Sequence, residues 1–62
     1  MINKKKIADF IYSYGNKTEL ARKAGIDRTY IHMFLNGTRE PGVKFLEGMM
    51  KAGMSPEDIF LH

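Results

Sequence analysis

Five of the six glycines, at positions 15, 25, 37, 42 and 53, divide the chain into short segments whose apolar residues recur at helical rather than strand spacing. Five short helices are expected. The first spans about Asn3 to Tyr14, where Ile7, Phe10, Ile11 and Tyr14 form one stripe for burial, and Gly15 stops it. The second starts after Asn16, an N-cap residue with Glu19 three positions on, and runs to about Ala24 with Gly25 as a left-handed end. Asp27 caps a third helix to about Leu35, which Asn36 and Gly37 close. After a loop carrying Thr38, Arg39 and Pro41, a fourth covers about Val43 to Ala52 and stops at Gly53; Ser55, with Pro56 at the first helical position, opens a short fifth. The expected fold class is all-α: a compact five-helix domain over residues 1–62, with no linker, repeat or low-complexity stretch.

A chain of 62 residues buries only about 60% of the surface its unfolded form exposes, so the core must be small and no deep cofactor cleft is expected. Local helical contacts suffice to fold it without staples. There is no cysteine, hence neither a disulfide framework nor a thiolate metal site. No apolar run approaches the ~18 residues of a membrane span, and Lys4, Lys5 and Lys6 precede no signal-peptide core, which points to a soluble, cytoplasmic chain. An enzyme is not expected. Asp9, Glu19, Glu40, Glu47, Glu57 and Asp58 form no convergent pair, Ser13 and Ser55 lack an elbow motif, and no glycine-rich phosphate loop precedes a helix. His32 and the terminal His62 have no metal-ligand spacing, so no metal or other cofactor is expected, and no small-molecule ligand is indicated.

Charge is unevenly spread. The net charge is +3, but residues 1 to 39 hold eight Lys and Arg against three acids, and residues 40 to 62 hold two against four. One half is polarised towards an anionic partner.

The segment from Lys17 to Asn36, KTELARKAGIDRTYIHMFLN, is the most specific. Two helices that cross at roughly 90 to 120 degrees through a short turn need particular residues at particular places. Ala21 is small where the second helix meets the third, Gly25 permits the positive φ of a tight turn, and Leu20, Ala24, Ile26, Ile31 and Phe34 are apolar where the helices face one another and the first helix.

With this pattern the chain resembles the Cro/CI-type (XRE) helix-turn-helix regulators of phages, mobile elements and bacteria. TELARKAGIDRTYI is similar to that family's second helix, turn and third helix, LNGTREP to the following loop, and MSPEDIF to its fifth helix. The resemblance implies a lambda-repressor-like fold and sequence-specific binding to double-stranded DNA, with the third helix, about residues 28–35, in the major groove. It further implies transcription regulation, more often as a repressor, by a homodimer on a pseudo-palindromic site. The chain departs from the family at three places. Lys17 stands where the family has Gln, and Gly15 where it has an apolar residue that Tyr14 or Tyr12 would replace. Leu35, with Phe10 or Ile11, stands where the family commonly has an ion pair.

On the third helix, Ile31, Phe34 and Leu35 fall on the inner face, and Thr29, Met33 and Asn36 point away, with Tyr30 and His32 flanking. Candidate base contacts are Arg28 at the leading tip, Thr29, His32 and Met33. Arginine is the best bidentate reader of guanine, and Thr29 or Met33 suits a thymine methyl. Arg28 could equally pair with phosphate, Met33 could be a plain surface or dimer residue, and His32 a solvated one. Candidate phosphate contacts are Asn16, Lys17, Tyr30, Asn36, Thr38 and Arg39, for which capping (Asn16, Asn36) and packing (Tyr30) are the alternatives.

Met49, Met50 and Met54, with Phe45, Leu46, Ile59, Phe60 and Leu61, offer more apolar area than two short helices obviously bury. Most of it is core, and the remainder suits a dimer seam. The rival to a DNA-binding regulator is an antitoxin-like or protein-interaction module that uses this Met-rich C-terminal face.

Overall fold

The computed structural model describes residues Met1 to Phe60 and contains α1 (Lys4–Tyr14), α2 (Lys17–Ala24), α3 (Arg28–Leu35), α4 (Val43–Lys51) and α5 (Pro56–Ile59). Leu61 and His62, named above, lie outside the described residues.

Local chemistry sets the helix ends. The Asn16 side chain accepts hydrogen bonds from the Thr18 and Glu19 amides at 2.9 and 3.1 Å, and Asp27 accepts one from Thr29 at 2.9 Å. These bonds satisfy N–H groups that have no partner inside the helix. Glu19 departs from the expected reciprocal box, because its carboxylate turns to Arg22 at 2.6 Å instead of reaching back to Asn16. At the other ends, α2, α3 and α4 close alike. The amide two residues past the last turn returns to a carbonyl five residues back: Ile26 to Ala21 at 3.0 Å, Thr38 to Met33 at 2.9 Å and Met54 to Met49 at 3.0 Å. Each closure needs a left-handed residue just before it, and Gly25, with φ +71, supplies it in the turn between α2 and α3.

The core takes Ile7 and Ile11 from α1, Leu20, Ala21 and Ala24 from α2, Ile31 and Phe34 from α3, and Phe45 and Met49 from α4. Met54 and Ile59 complete it. Of the two tyrosines that could fill the space before α2, Tyr14 packs on this core and Tyr12 is exposed. Leu35 shares a surface cleft with Lys4, Lys5 and Ala8 rather than with Phe10, which lines a second cleft with Gly53 and Met54.

Two features have long-range causes. Gly48 is buried in mid-α4, and a Cβ there would stand 2.7 Å from the Ala24 carbonyl oxygen, so its lack of a side chain lets α4 close on the end of α2. The segments before α1 and after α5 also meet: Asn3 N–H donates to the Ile59 carbonyl at 2.7 Å, and Ile2 and Phe60 form an antiparallel bridge.

The Met-rich seam needs correction. Met49 is fully buried and Met54 nearly so, both within the common core; among the described residues of the expected set, Met50 (37% exposed) and Phe60 (47%) are exposed and Leu46 is partly buried. Among the described residues no helix is long and apolar enough to cross a membrane.

Candidate nucleic-acid interface

Helices α2 and α3 are joined by a turn of only Gly25, Ile26 and Asp27. A turn of this length is the kind that joins the two helices of a helix-turn-helix, which cross at roughly 90 to 120 degrees. Behind α3, the Phe34 and Tyr30 rings sit 5.0 and 4.7 Å from the Phe45 ring of α4, and Ile31 is fully buried. The helix is thus pinned along one side. Thr29 and His32 are exposed away from that side, Arg28 is exposed at the N-terminal tip, and Met33 is half-buried. All four expected base-contacting residues therefore remain accessible on one element.

Arg28 is not adrift at the tip. Its Nη1 donates to Thr18 Oγ1 at 3.2 Å, which ties the first residue of α3 to the first turn of α2. An arginine has five N–H donors, and this bond uses one. Thr18 had no assigned role; its place one residue after Lys17, at the start of α2, was the only signal for it.

The expected phosphate-contacting residues fall into two groups at the two ends of α3. Asn16 and Lys17 open α2, near the Arg28 tip, and the Asn16 carbonyl oxygen is committed to capping. Lys17 Nζ lies 5.4 Å from the centroid of the Tyr12 ring. Asn36, Thr38 and Arg39 lie in the closure after α3, where Asn36 Oδ1 accepts from the Thr38 amide at 3.0 Å and from the Thr38 hydroxyl. The Arg39 guanidinium stacks 4.0 Å over the Tyr30 ring.

Tyr30 is used differently from the expectation. Its hydroxyl donates to the Glu40 carbonyl at 3.0 Å and accepts from the Gly42 amide at 2.7 Å. A phosphate oxygen requires a donor, and this hydroxyl has one proton, already given away. Tyr30 therefore pins the loop and carries Arg39, and packing is the reading that its geometry favours.

Ion pairing sorts the cations. Lys4 pairs with Glu40 at 2.8 Å, Lys5 with Asp9 at 3.3 Å, Lys6 with Asp58 at 4.0 Å and Arg22 with Glu19 at 2.6 Å. The Arg22 hydrogen bond, followed by its charge, holds the Glu19 carboxyl below the usual carboxylate range. Among the described residues, Lys17, Lys23, Arg28, Arg39, Lys44 and Lys51 make no ion pair within 4 Å. Four of these six lie between the start of α2 and the loop after α3. The lysine triplet at 4–6, the densest basic run in the sequence, is the part whose charge is most offset.

A basic α2–turn–α3 pair, anchored from behind and open in front, defines the class of helix-turn-helix proteins. The family model for Helix-turn-helix matches residues 15–53, and the chain belongs to that family as a Cro/CI-type (XRE) member. It is a DNA-binding transcriptional regulator. No curated protein and no solved structure matches the chain.

Proposed function

We propose that this protein is a sequence-specific repressor of phage or mobile-element type that inserts α3 into the major groove of double-stranded DNA and regulates by occupancy. The observation that carries the reading is the state of Arg28: exposed, outside those ion pairs, and held by Thr18 at the leading tip of a helix pinned through Ile31 and Phe34. An arginine in that position meets guanine O6 and N7 edge-on with donors to spare. Thr29 and Met33 meet thymine methyls, and His32 a base edge.

Asn16, Lys17, Asn36, Thr38 and Arg39 clamp the backbone on either side and set the register. Tyr30 serves the clamp through Arg39. The 62-residue sequence acts as one domain and works as a homodimer on a pseudo-palindromic site in the cytoplasm, where its DNA lies. A DNA-blocking mechanism requires no catalytic step, in keeping with a family that is typically non-enzymatic. The rival reading, a protein-interaction module on a Met-rich face, has little surface left, because Met49 and Met54 are in the core.

Selection from random duplexes followed by footprinting tests this. The expected result is an enriched pseudo-palindrome protected in two half-sites about one helical turn apart. Failure to enrich any sequence overturns the sequence-specific reading, and one unpaired footprint overturns the dimer.

A further inference from the structure

Of the six cations outside those ion pairs, two lie over an aromatic ring: Lys17 over Tyr12, and Arg39 over Tyr30. Lys23, Arg28, Lys44 and Lys51 do not, and Lys17 and Arg39 are the two cations assigned to phosphate. One stands before α3 in the chain and one after it. Tyr30 has an independent reason to be where it is, since its ring packs on Phe45 and its hydroxyl bridges the loop. Tyr12 has none. It is 64% exposed on the last turn of α1, and its hydroxyl has no partner among the described residues.

We infer that Tyr12 is a positioning residue for DNA binding, a seat that holds the Lys17 ammonium in place for a backbone phosphate, as Tyr30 does for the Arg39 guanidinium. The inference rests on the reading of Lys17 as a phosphate clamp. A free lysine side chain samples many rotamers, and fixing it on a phosphate loses that freedom at the moment of binding. The ring removes part of that loss beforehand. It attracts the cation through its negative face and consumes none of the three ammonium protons in a directional bond, so they stay available to phosphate oxygens. The half-buried state of Lys17 fits a side chain whose stem is laid along the protein with its charged head at the rim. Positioning changes how strongly Lys17 engages, and leaves unchanged how many counterions its engagement releases.

The experiment measures affinity for a mixed-sequence duplex against salt for wild type, Tyr12→Phe, Tyr12→Leu, Lys17→Ala and the Tyr12→Leu/Lys17→Ala pair, with thermal midpoints as the fold control. A mixed sequence suffices because phosphate contacts act on every sequence. Tyr12→Phe keeps the ring and should bind as wild type. Tyr12→Leu should weaken binding about two- to five-fold with an unchanged slope of log affinity on log salt. Lys17→Ala should flatten that slope by about 0.9, and in its background Tyr12→Leu should have no further effect.

Three outcomes overturn the inference, and they are distinguishable. Wild-type binding by Tyr12→Leu, beside a weakened Lys17→Ala, removes the seat and leaves the clamp. A Tyr12→Leu loss that persists undiminished without Lys17 means that Tyr12 acts directly. An unchanged slope and affinity in Lys17→Ala removes the clamp itself, and the seat with it.

Discussion

Arg28 and Ile31 are three residues apart on α3 and have opposite duties. Arg28 is exposed with a single side-chain hydrogen bond to Thr18, so Arg28→Ala should move stability by no more than about 0.5 kcal/mol. Its loss should nevertheless cost about 1 to 3 kcal/mol on the selected site and relax preference at one base pair, a G·C pair. Binding-site profiles of variant and wild type check this; coincident profiles with a uniform drop in affinity would make Arg28 a phosphate contact instead. Ile31 is fully buried, and Ile31→Ala should destabilise the domain by about 2 to 5 kcal/mol with no change in the sequence preferred by folded molecules. Denaturant titration beside the same profile separates the two duties. Thr18 occupies a middle position, because Thr18→Val keeps the shape and removes the oxygen that steadies Arg28.

Among the elements, α4 closes on the end of α2, and glycine decides that contact. Ala is the better helix former by about 1 kcal/mol, so on propensity alone Gly48→Ala should stabilise α4. The added Cβ would stand 2.7 Å from the Ala24 carbonyl oxygen and 2.9 Å from the Ala24 Cβ, in a buried place where backbone must yield. Overpacking of that kind costs about 1 to 3 kcal/mol, so the variant should be destabilised on balance. A raised thermal midpoint would show that α4 is free to move away. Gly25→Ala meets nothing within 4 Å and is costly for another reason, the φ of +71 that the turn requires. Helix α3 is carried on both contacts, since α2 orients its tip and α4 supplies the Phe45 ring behind it.

At the scale of the whole molecule, the unpaired cations set how binding responds to salt. Log affinity should fall linearly with log salt, and Arg39→Ala should weaken binding on all sequences and flatten the slope by about 0.9. A weak affinity indifferent to salt would contradict a phosphate-binding surface. The dimer prediction now rests on the apolar residues that stay outside the core. Met50→Glu changes an exposed position, so it should leave the thermal midpoint near wild type and weaken binding to a full site far more than to a half-site. Equal losses on both sites would remove Met50 from any subunit contact.

What the sequence determined by itself is what depends on near neighbours. The five helices, the caps at Asn16 and Asp27, the closures at Gly25, Gly37 and Gly53, and the burial of Ile7 and Ile11 on α1, with Phe10 and Tyr14 only partly covered, all follow from groups within a turn or two of one another. The α2–turn–α3 motif was legible for the same reason, and with it the exposed side of α3 and the candidate set from Arg28 to Met33. Tertiary structure decided whatever depends on a partner far along the chain. Gly48 matters because of Ala24, the Tyr30 proton goes to Glu40, Lys4 is paired with Glu40, and Ile2 meets Phe60. Periodicity marked Met49, Met50 and Met54 alike as apolar. Only the packing of α4 and α5 around the core could put two of them inside and leave the third at the surface, because burial depends on which helix covers a face, and a short helix does not encode its neighbour.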